Sequence, residues 1–189
     1  MQENPLDKLF EKRVSWLADS GPEDDIAISS RIRLARNLKD LSFPTNADPD
    51  HLDSSTAAVL LAVEKSKCSK KFYEIDMSKL NILDRQVLLE RRMISREFYA
   101  KKQNTALAMT DDEICSIMIN EEDHIRMQAM LSGLRLGEVW KIIDKMDDSL
   151  SCELPFAFDE NLGYLTSCPT NVGTGMRASV MLHLPGLVL

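Results

Sequence analysis

The sequence predicts an α+β fold, a mostly antiparallel sheet flanked by helices. Three observations lead there. Apolar residues recur at helical spacing in some stretches and as short extended runs in others. The two kinds follow one another without the strict alternation that builds a parallel sheet. Extended runs are also joined by tight polar turns such as Asp111-Asp112-Glu113.

The elements follow in order. Residues 5–18 read as a helix with Leu6, Leu9, Phe10, Val14 and Leu17 on one face, ended by Gly21-Pro22. Ile26-Ala27-Ile28 reads as a buried strand running into Ser29-Ser30-Arg31-Ile32-Arg33. Pro44 and Pro49 mark a loop, residues 52–66 a helix, 72–75 a weak strand and 82–93 a helix. Strands are expected at 105–109 and 114–119. Leu136, Val139, Trp140, Ile143 and Met146 predict the inward face of a helix over 134–146. Short strands at 155–158 and 163–167, a loop from Cys168 to Gly173 and a last helix over 175–184 complete the chain.

The 189 residues suffice for one domain with a real core, and 44% hydrophobic with 28% charged residues is ordinary for a globular protein. A net charge of −7 argues against a general nucleic-acid or membrane-surface binder, yet leaves room for a local basic pocket. No apolar run approaches the roughly 20 residues of a membrane span, and the mixed-charge start lacks a secretion signal. Cys68, Cys115, Cys152 and Cys168 are far apart with no CxxC pair, which fits reduced thiols in a cytoplasmic protein. The three histidines have no metal-ligand spacing. The apolar ending LHLPGLVL, without a polar tail, predicts a fragment of a longer chain.

Three segments carry chemistry. In a strand, Arg31 and Arg33 project from the same face, where two guanidinium forks make a clamp for phosphate oxygens. On spacing alone a solvated face with salt bridges is the commoner reading of such a pair. In Ile117-Met118-Ile119-Asn120-Glu121-Glu122-Asp123-His124-Ile125-Arg126 an apolar strand ends in three acids, a histidine and an arginine. Crowded carboxylates raise one another's pKa or call for a cationic partner, and one could serve as a base toward a guanidinium; an exposed acidic turn is the plainer reading. The third runs from Gly163 to Ser179, a strand, a polar loop and a helix start. Amide groups at such a start favour anions, Arg177 would sit in its first turn, and a Cys168 thiolate would be stabilised nearby, unless Cys168 is only a packing residue. Gly173 to Ala178 matches GxGxxA, but a Cys-Pro-Thr-Asn loop precedes it, which is the wrong context for a dinucleotide fold.

Taken together and in this order, SSRIRLARN, NEEDHIR and GYLTSCPTNVGTGMRASVMLHLPGL resemble the guanidino kinase family, over residues 22–189. The resemblance implies the glutamine-synthetase-like catalytic domain of that family, here truncated at its C-terminus, with ATP and Mg²⁺ as cofactors. It is nearest to the bacterial members that phosphorylate arginine side chains of proteins, because the all-helical domain preceding the first motif in phosphagen kinases has no room before residue 29. By resemblance, Ser29, Ser30, Arg31, Ile32 and Arg33 bind nucleotide, as do Arg126 and the run Arg177, Ala178, Ser179, Val180 and Met181. Glu122 holds and deprotonates the guanidinium, and Cys168 is the reactive cysteine beside it. The implied reaction is in-line transfer of the γ-phosphoryl group to a guanidino nitrogen.

Two departures stand out. Arg92 occupies the position of a nucleotide-contacting histidine, and the family's segment with a further phosphate arginine and a second guanidinium carboxylate lies beyond residue 189. A phosphagen kinase for a free guanidino compound and a non-catalytic adaptor are the alternatives. The implied partners are arginine-bearing protein substrates and a chaperone-protease stress system, with a homo-oligomer left open and no nucleic acid or membrane.

Overall fold

The computed structural model describes residues 13–18, 20–66, 71–101 and 103–187. Most of the helix expected over 5–18 lies outside them, as does Cys68; its described end is α1, Ser15–Ala18. The chain then runs through β1 (Ala27–Arg36), α2 (Pro49–Lys65), β2 (Phe72–Asp76), a 3-10 turn over Met77–Lys79, α3 (Ile82–Glu90) and α4 (Arg96–Ala100). It continues as β3 (Ala106–Thr110), β4 (Cys115–Ile119), β5 (Ile125–Ser132), α5 (Leu136–Ser151), the short hairpin β6 (Phe158–Asp159) and β7 (Gly163–Tyr164), and β8 (Met176–Leu182).

The main sheet has six strands in the order β2-β3-β4-β5-β1-β8, every neighbouring pair antiparallel. One face packs Ile32, Leu34, Ile117, Ile119, Ile125 and Met127 against α2 and α5. On α5 the buried residues are Val139, Ile143, Met146 and Leu150, the i, i+4, i+7, i+11 stripe of a helix lying on a core. Each such side chain contributes about 1.5–3 kcal/mol when fully buried. Trp140, expected inside, is 39% exposed because it falls beside that stripe. Asp48 caps α2 by accepting from His51 N at 2.8 Å, Pro49 opens the helix and Asp50 complements its dipole.

The opposite face changes character along the sheet. At the β2–β4 side, Ile75, Leu107, Met109 and Met118 are covered by Met77, Leu88, Met93, Ile94 and Phe98. Toward β1 and β8 that cover thins to Trp16 and Val14, in the same cluster as Met130, Ile28 and Met181, and the rest of the face is where the arginines stand.

One expected element is overturned. Residues 175–184 hold a strand rather than a helix, since β8 pairs with β1 from Leu34↔Met176 to Ala27↔Leu182. Its alternation of Arg177, Ser179 and Met181 with Ala178 and Val180 has the period of two that a strand requires. The helix N-terminus expected to favour anions is therefore not there, and the GxGxxA match loses its helix. β5 and α4 are additional to the predicted elements. β5 reads IRMQAMLS, poor in β-branched residues, but is held between β4 and β1.

Candidate functional site: an arginine-lined groove beside an acidic loop

Strand register places the basic groups. Arg33 is paired with Arg177 on β8 and with Gln128 on β5, and Arg31 with Ser179 and Met130. Directly opposed residues share a face, so Arg31, Arg33, Arg177 and Ser179 project together. Arg126, opposite Ala35 and Met118, joins them from β5. Arg92 enters from the end of α3 with φ 64°, and its carbonyl accepts from Gln128 Nε2 at 2.5 Å. A cavity of about 580 Å³ is lined by Arg33, Arg126 and Arg177. A second, of about 530 Å³, shares Arg33 and Arg126 and adds Arg31 and Arg92. A third, of about 250 Å³, carries Arg31 and Arg92 on to Ser29, Met130, Ser179 and Met181. These shared walls make one groove across the sheet.

Five guanidinium groups facing one groove repel each other. Burial, then the charges of Arg31, Arg126 and Arg177, push the Arg33 guanidinium down to about 10. Burial, then Arg92 and Arg126, lower Arg31. Both stay cationic at neutral pH, and Arg33 Nε is buried without a hydrogen-bond partner among the described residues. A polyanion relieves both the repulsion and the orphaned donor, so this end suits an anionic ligand with several oxygens.

The other end is acidic and built by the loop between β4 and β5. Asn120 turns the chain with φ 61°. Its Nδ2 donates to Leu52 O, Thr56 Oγ1 and Asn104 O at 2.8–3.0 Å, and its Oδ1 accepts from Ser55 Oγ at 2.8 Å. Glu121 points inward and accepts from Arg126 and Ser95. Burial alone would raise its carboxyl, but those hydrogen bonds and the Arg126 charge outweigh it and hold it below the usual range. Lys101 Nζ donates to the carbonyls of Asn120 and Glu121. Asp123 accepts from Asn37 Nδ2 and Ser167 N at 2.6 and 2.7 Å. His124 is fully buried, its Nδ1 accepting from Leu38 N at 3.2 Å, and burial pushes it down to about 4 against the pull of Asp123. Its bond therefore goes to a backbone amide rather than within the acidic cluster.

Glu122 is left exposed in the 580 Å³ cavity, and no described side chain hydrogen-bonds or ion-pairs with its carboxylate. Burial, then Asp123, Glu121 and Glu97, raise its pKa against the opposing charge of Arg126. A carboxylate in that state accepts a proton readily and welcomes a cation.

The loop with Cys168 docks on this acidic turn. Ser167 Oγ donates to Glu122 O at 2.8 Å, Thr166 Oγ1 to Cys168 O at 2.8 Å, and Cys168 Sγ lies 3.0 Å from Thr170 Oγ1. Cys168 precedes a 3-10 turn over Pro169–Asn171, and Asn171 lines the cavity. Gly175 (φ 62°) lies against β1: a Cβ there would come within 2.5 Å of Ala35 O and of the Arg36 guanidinium.

Not every expected site residue faces the groove. Ser30 Oγ donates to Gly133 O and accepts from Arg135 N, tying β1 to the start of α5. Ile32 is in the helix-side core, and Ala178, opposite it, falls on that same face. Val180 borders the smallest cavity from the sheet edge. Arg36 binds Asp147 through two bonds of 2.6 and 3.0 Å and lies 3.6 Å over the Tyr164 ring, which makes it structural. Sequence reasoning missed Glu121 as the partner of Arg126, and Ser95, Glu97 and Lys101 as wall residues. Ser95 two residues before Glu97 is a helix-start signal that could have marked α4.

Comparison with known proteins fits this geometry. The model of the ATP:guanido phosphotransferase C-terminal catalytic domain matches residues 55–189. The chain belongs to that family. Among similar ATP:guanido phosphotransferases, a protein-arginine kinase of Pelotomaculum thermopropionicum is 46% identical over 177 residues, covering 92% of this chain and 50% of that protein. One from Moorella thermoacetica is 47% identical over 183 residues, covering 95% and 52%. The chain thus spans about half the length of the curated relatives it matches. In fold it is similar to the duplicated taurocyamine kinase of Schistosoma mansoni (TM-score 0.82, 23% identity, 92% of this chain and 26% of that one). It is also similar to a lombricine kinase (TM-score 0.77, 21% identity, 91% and 52%).

Proposed function

We propose that this chain is the nucleotide-gripping and acceptor-steering part of a kinase that transfers the γ-phosphoryl group of ATP to arginine side chains of proteins. The observation that carries the reading is the polarity of the groove: arginines at one end and, at the other, Glu122, a carboxylate with no hydrogen-bond or ion-pair partner among the described residues. Arg31, Arg33, Arg126 and Arg177 would hold the phosphates and offset the charge that builds on them during transfer. Glu122 would orient the incoming guanidinium and take its proton. The nitrogen lone pair then forms the N–P bond while the bond to the β-phosphate oxygen breaks, and ADP leaves with that electron pair. Mg²⁺ belongs to this reading as the counter-ion the nucleotide brings with it.

The names of the relatives and the exposure of Glu122 and Glu97 support an arginine on a bulky protein rather than a free guanidino compound. Among the described residues no helix is long and apolar enough to cross a membrane, and the cysteine pattern supports a cytoplasmic setting. A chaperone-protease stress system as partner rests on family resemblance.

The test uses the full-length protein with labelled ATP and either an unfolded arginine-bearing protein or free arginine. Label on the protein is expected. Label on free arginine alone would replace this reading with a phosphagen kinase, and label on neither would leave a non-catalytic relative.

A further inference from the structure

Asn37, the residue that follows β1, is 1% exposed and uses its whole amide. Its Nδ2 donates to Asp123 Oδ1 at 2.6 Å and to Leu165 O at 3.1 Å. Its Oδ1 accepts from His124 N at 2.9 Å, and its own carbonyl accepts from Ala157 N at 2.8 Å. The acidic loop and the 157–165 segment are thus fastened to one residue, through its side chain and its own carbonyl.

The chain of bonds continues. The same Asp123 oxygen accepts from Ser167 N at 2.7 Å, and Ser167 Oγ returns to the carbonyl of Glu122 at 2.8 Å. Ser167 immediately precedes Cys168, and Glu122 immediately precedes Asp123. Two loops far apart in sequence therefore meet through a closed set of short bonds, with Glu122 at one exit and Cys168 at the other. The Asn37 end of this chain of bonds is buried and its amide fully used, which holds one geometry there, and transfer between bound groups is sensitive to displacements of about an ångström.

We propose that Asn37 is a positioning residue, which through Asp123 and Ser167 sets Glu122 and Cys168 relative to each other around the acceptor guanidinium. The inference rests on the kinase reading above. Asn37 touches neither substrate; it acts through the two loops it joins. The reach is specific: the groove arginines stand on β1, β5, β8 and the end of α3, none of them bonded to this junction, so nucleotide binding is separable from it.

The experiment uses full-length protein carrying Asn37→Ser, Ser167→Ala and both together. Each single substitution is expected to lower kcat by roughly 10- to 100-fold while the ATP Kd changes by less than about twofold. The double variant should be little worse than the worse single one, because both break one chain of bonds. The alkylation rate of the Cys168 peptide, followed by mass spectrometry, should change in both. Unchanged kcat, or a loss of kcat and ATP binding in parallel, overturns the proposal. If Asn37→Ser does not fold, Ser167→Ala, a change at the protein surface, carries the same readouts. A wild-type protein that labels neither protein nor free arginine would sink the kinase reading itself; an active wild type beside a fully active Asn37→Ser would sink only this inference.

Discussion

Arg33 and Arg177 stand directly opposite each other on β1 and β8, two like charges in cross-strand register. Such a pair costs the ligand-free fold about 0.2–1 kcal/mol. Arg177→Gln should therefore leave the free protein as stable as wild type or slightly more so. It should weaken ATP binding on the order of 10- to 100-fold, as expected for a lost charged hydrogen bond. Thermal melts with and without ATP check both halves, and an undiminished ATP-induced shift would remove Arg177 from the site.

Glu122 gives a pH signature. Burial and the charges of Asp123, Glu121 and Glu97 raise its pKa, so the acid limb of the rate profile should lie above the ordinary glutamate range. Glu97→Gln removes one negative neighbour, which eases ionisation of Glu122 and moves that limb to lower pH. A pH–kcat series on the two proteins decides it; a limb that stays in place contradicts the electrostatic account. Glu122→Ala should abolish transfer while ATP still binds, read by nucleotide titration beside a phosphotransfer assay.

His124 predicts an acid weakness in the fold. Its folded pKa is pushed down to about 4 from the ordinary 6.5, so the unfolded chain binds more protons between those values. Stability is full above the upper value and falls as pH drops toward the lower, by up to about 3 kcal/mol. His124→Gln should flatten that part of the curve in urea melts taken across the window.

The pair Arg36–Asp147 predicts a structural rather than catalytic lesion. Asp147→Ala leaves the Arg36 guanidinium buried beside Tyr164 and the Thr174 carbonyl. The expected cost is about 3–5 kcal/mol, visible as a lower denaturation midpoint. Wild-type stability would show the pair to be dispensable.

Much of this was legible in the residues. The alternation around Arg31 and Arg33 places both on one strand face, and the acidic run 121–123 marks the other end of the groove. The sequence misled at residues 175–184, where a glycine-rich approach and a serine-methionine mixture read as a helix start; the period of two emerges only once β1 is available to pair with. Nor could spacing show that Glu121 turns inward to Arg126 while Glu122 faces out. Adjacent residues in a tight turn diverge according to the backbone, and here Asn120 sets that divergence by anchoring to α2. Asn37 was hidden for the same reason, its partners lying on loops that meet only in the folded chain.

The middle position of β1 between β5 and β8 has a consequence for biosynthesis. Its arginines leave the ribosome early, yet their neighbour across the sheet is made among the last residues described. Until then one margin of β1 is open, and the cationic surface has only one flank. The capacity to grip a polyphosphate thus arrives with β8 rather than growing steadily as the chain lengthens from β1.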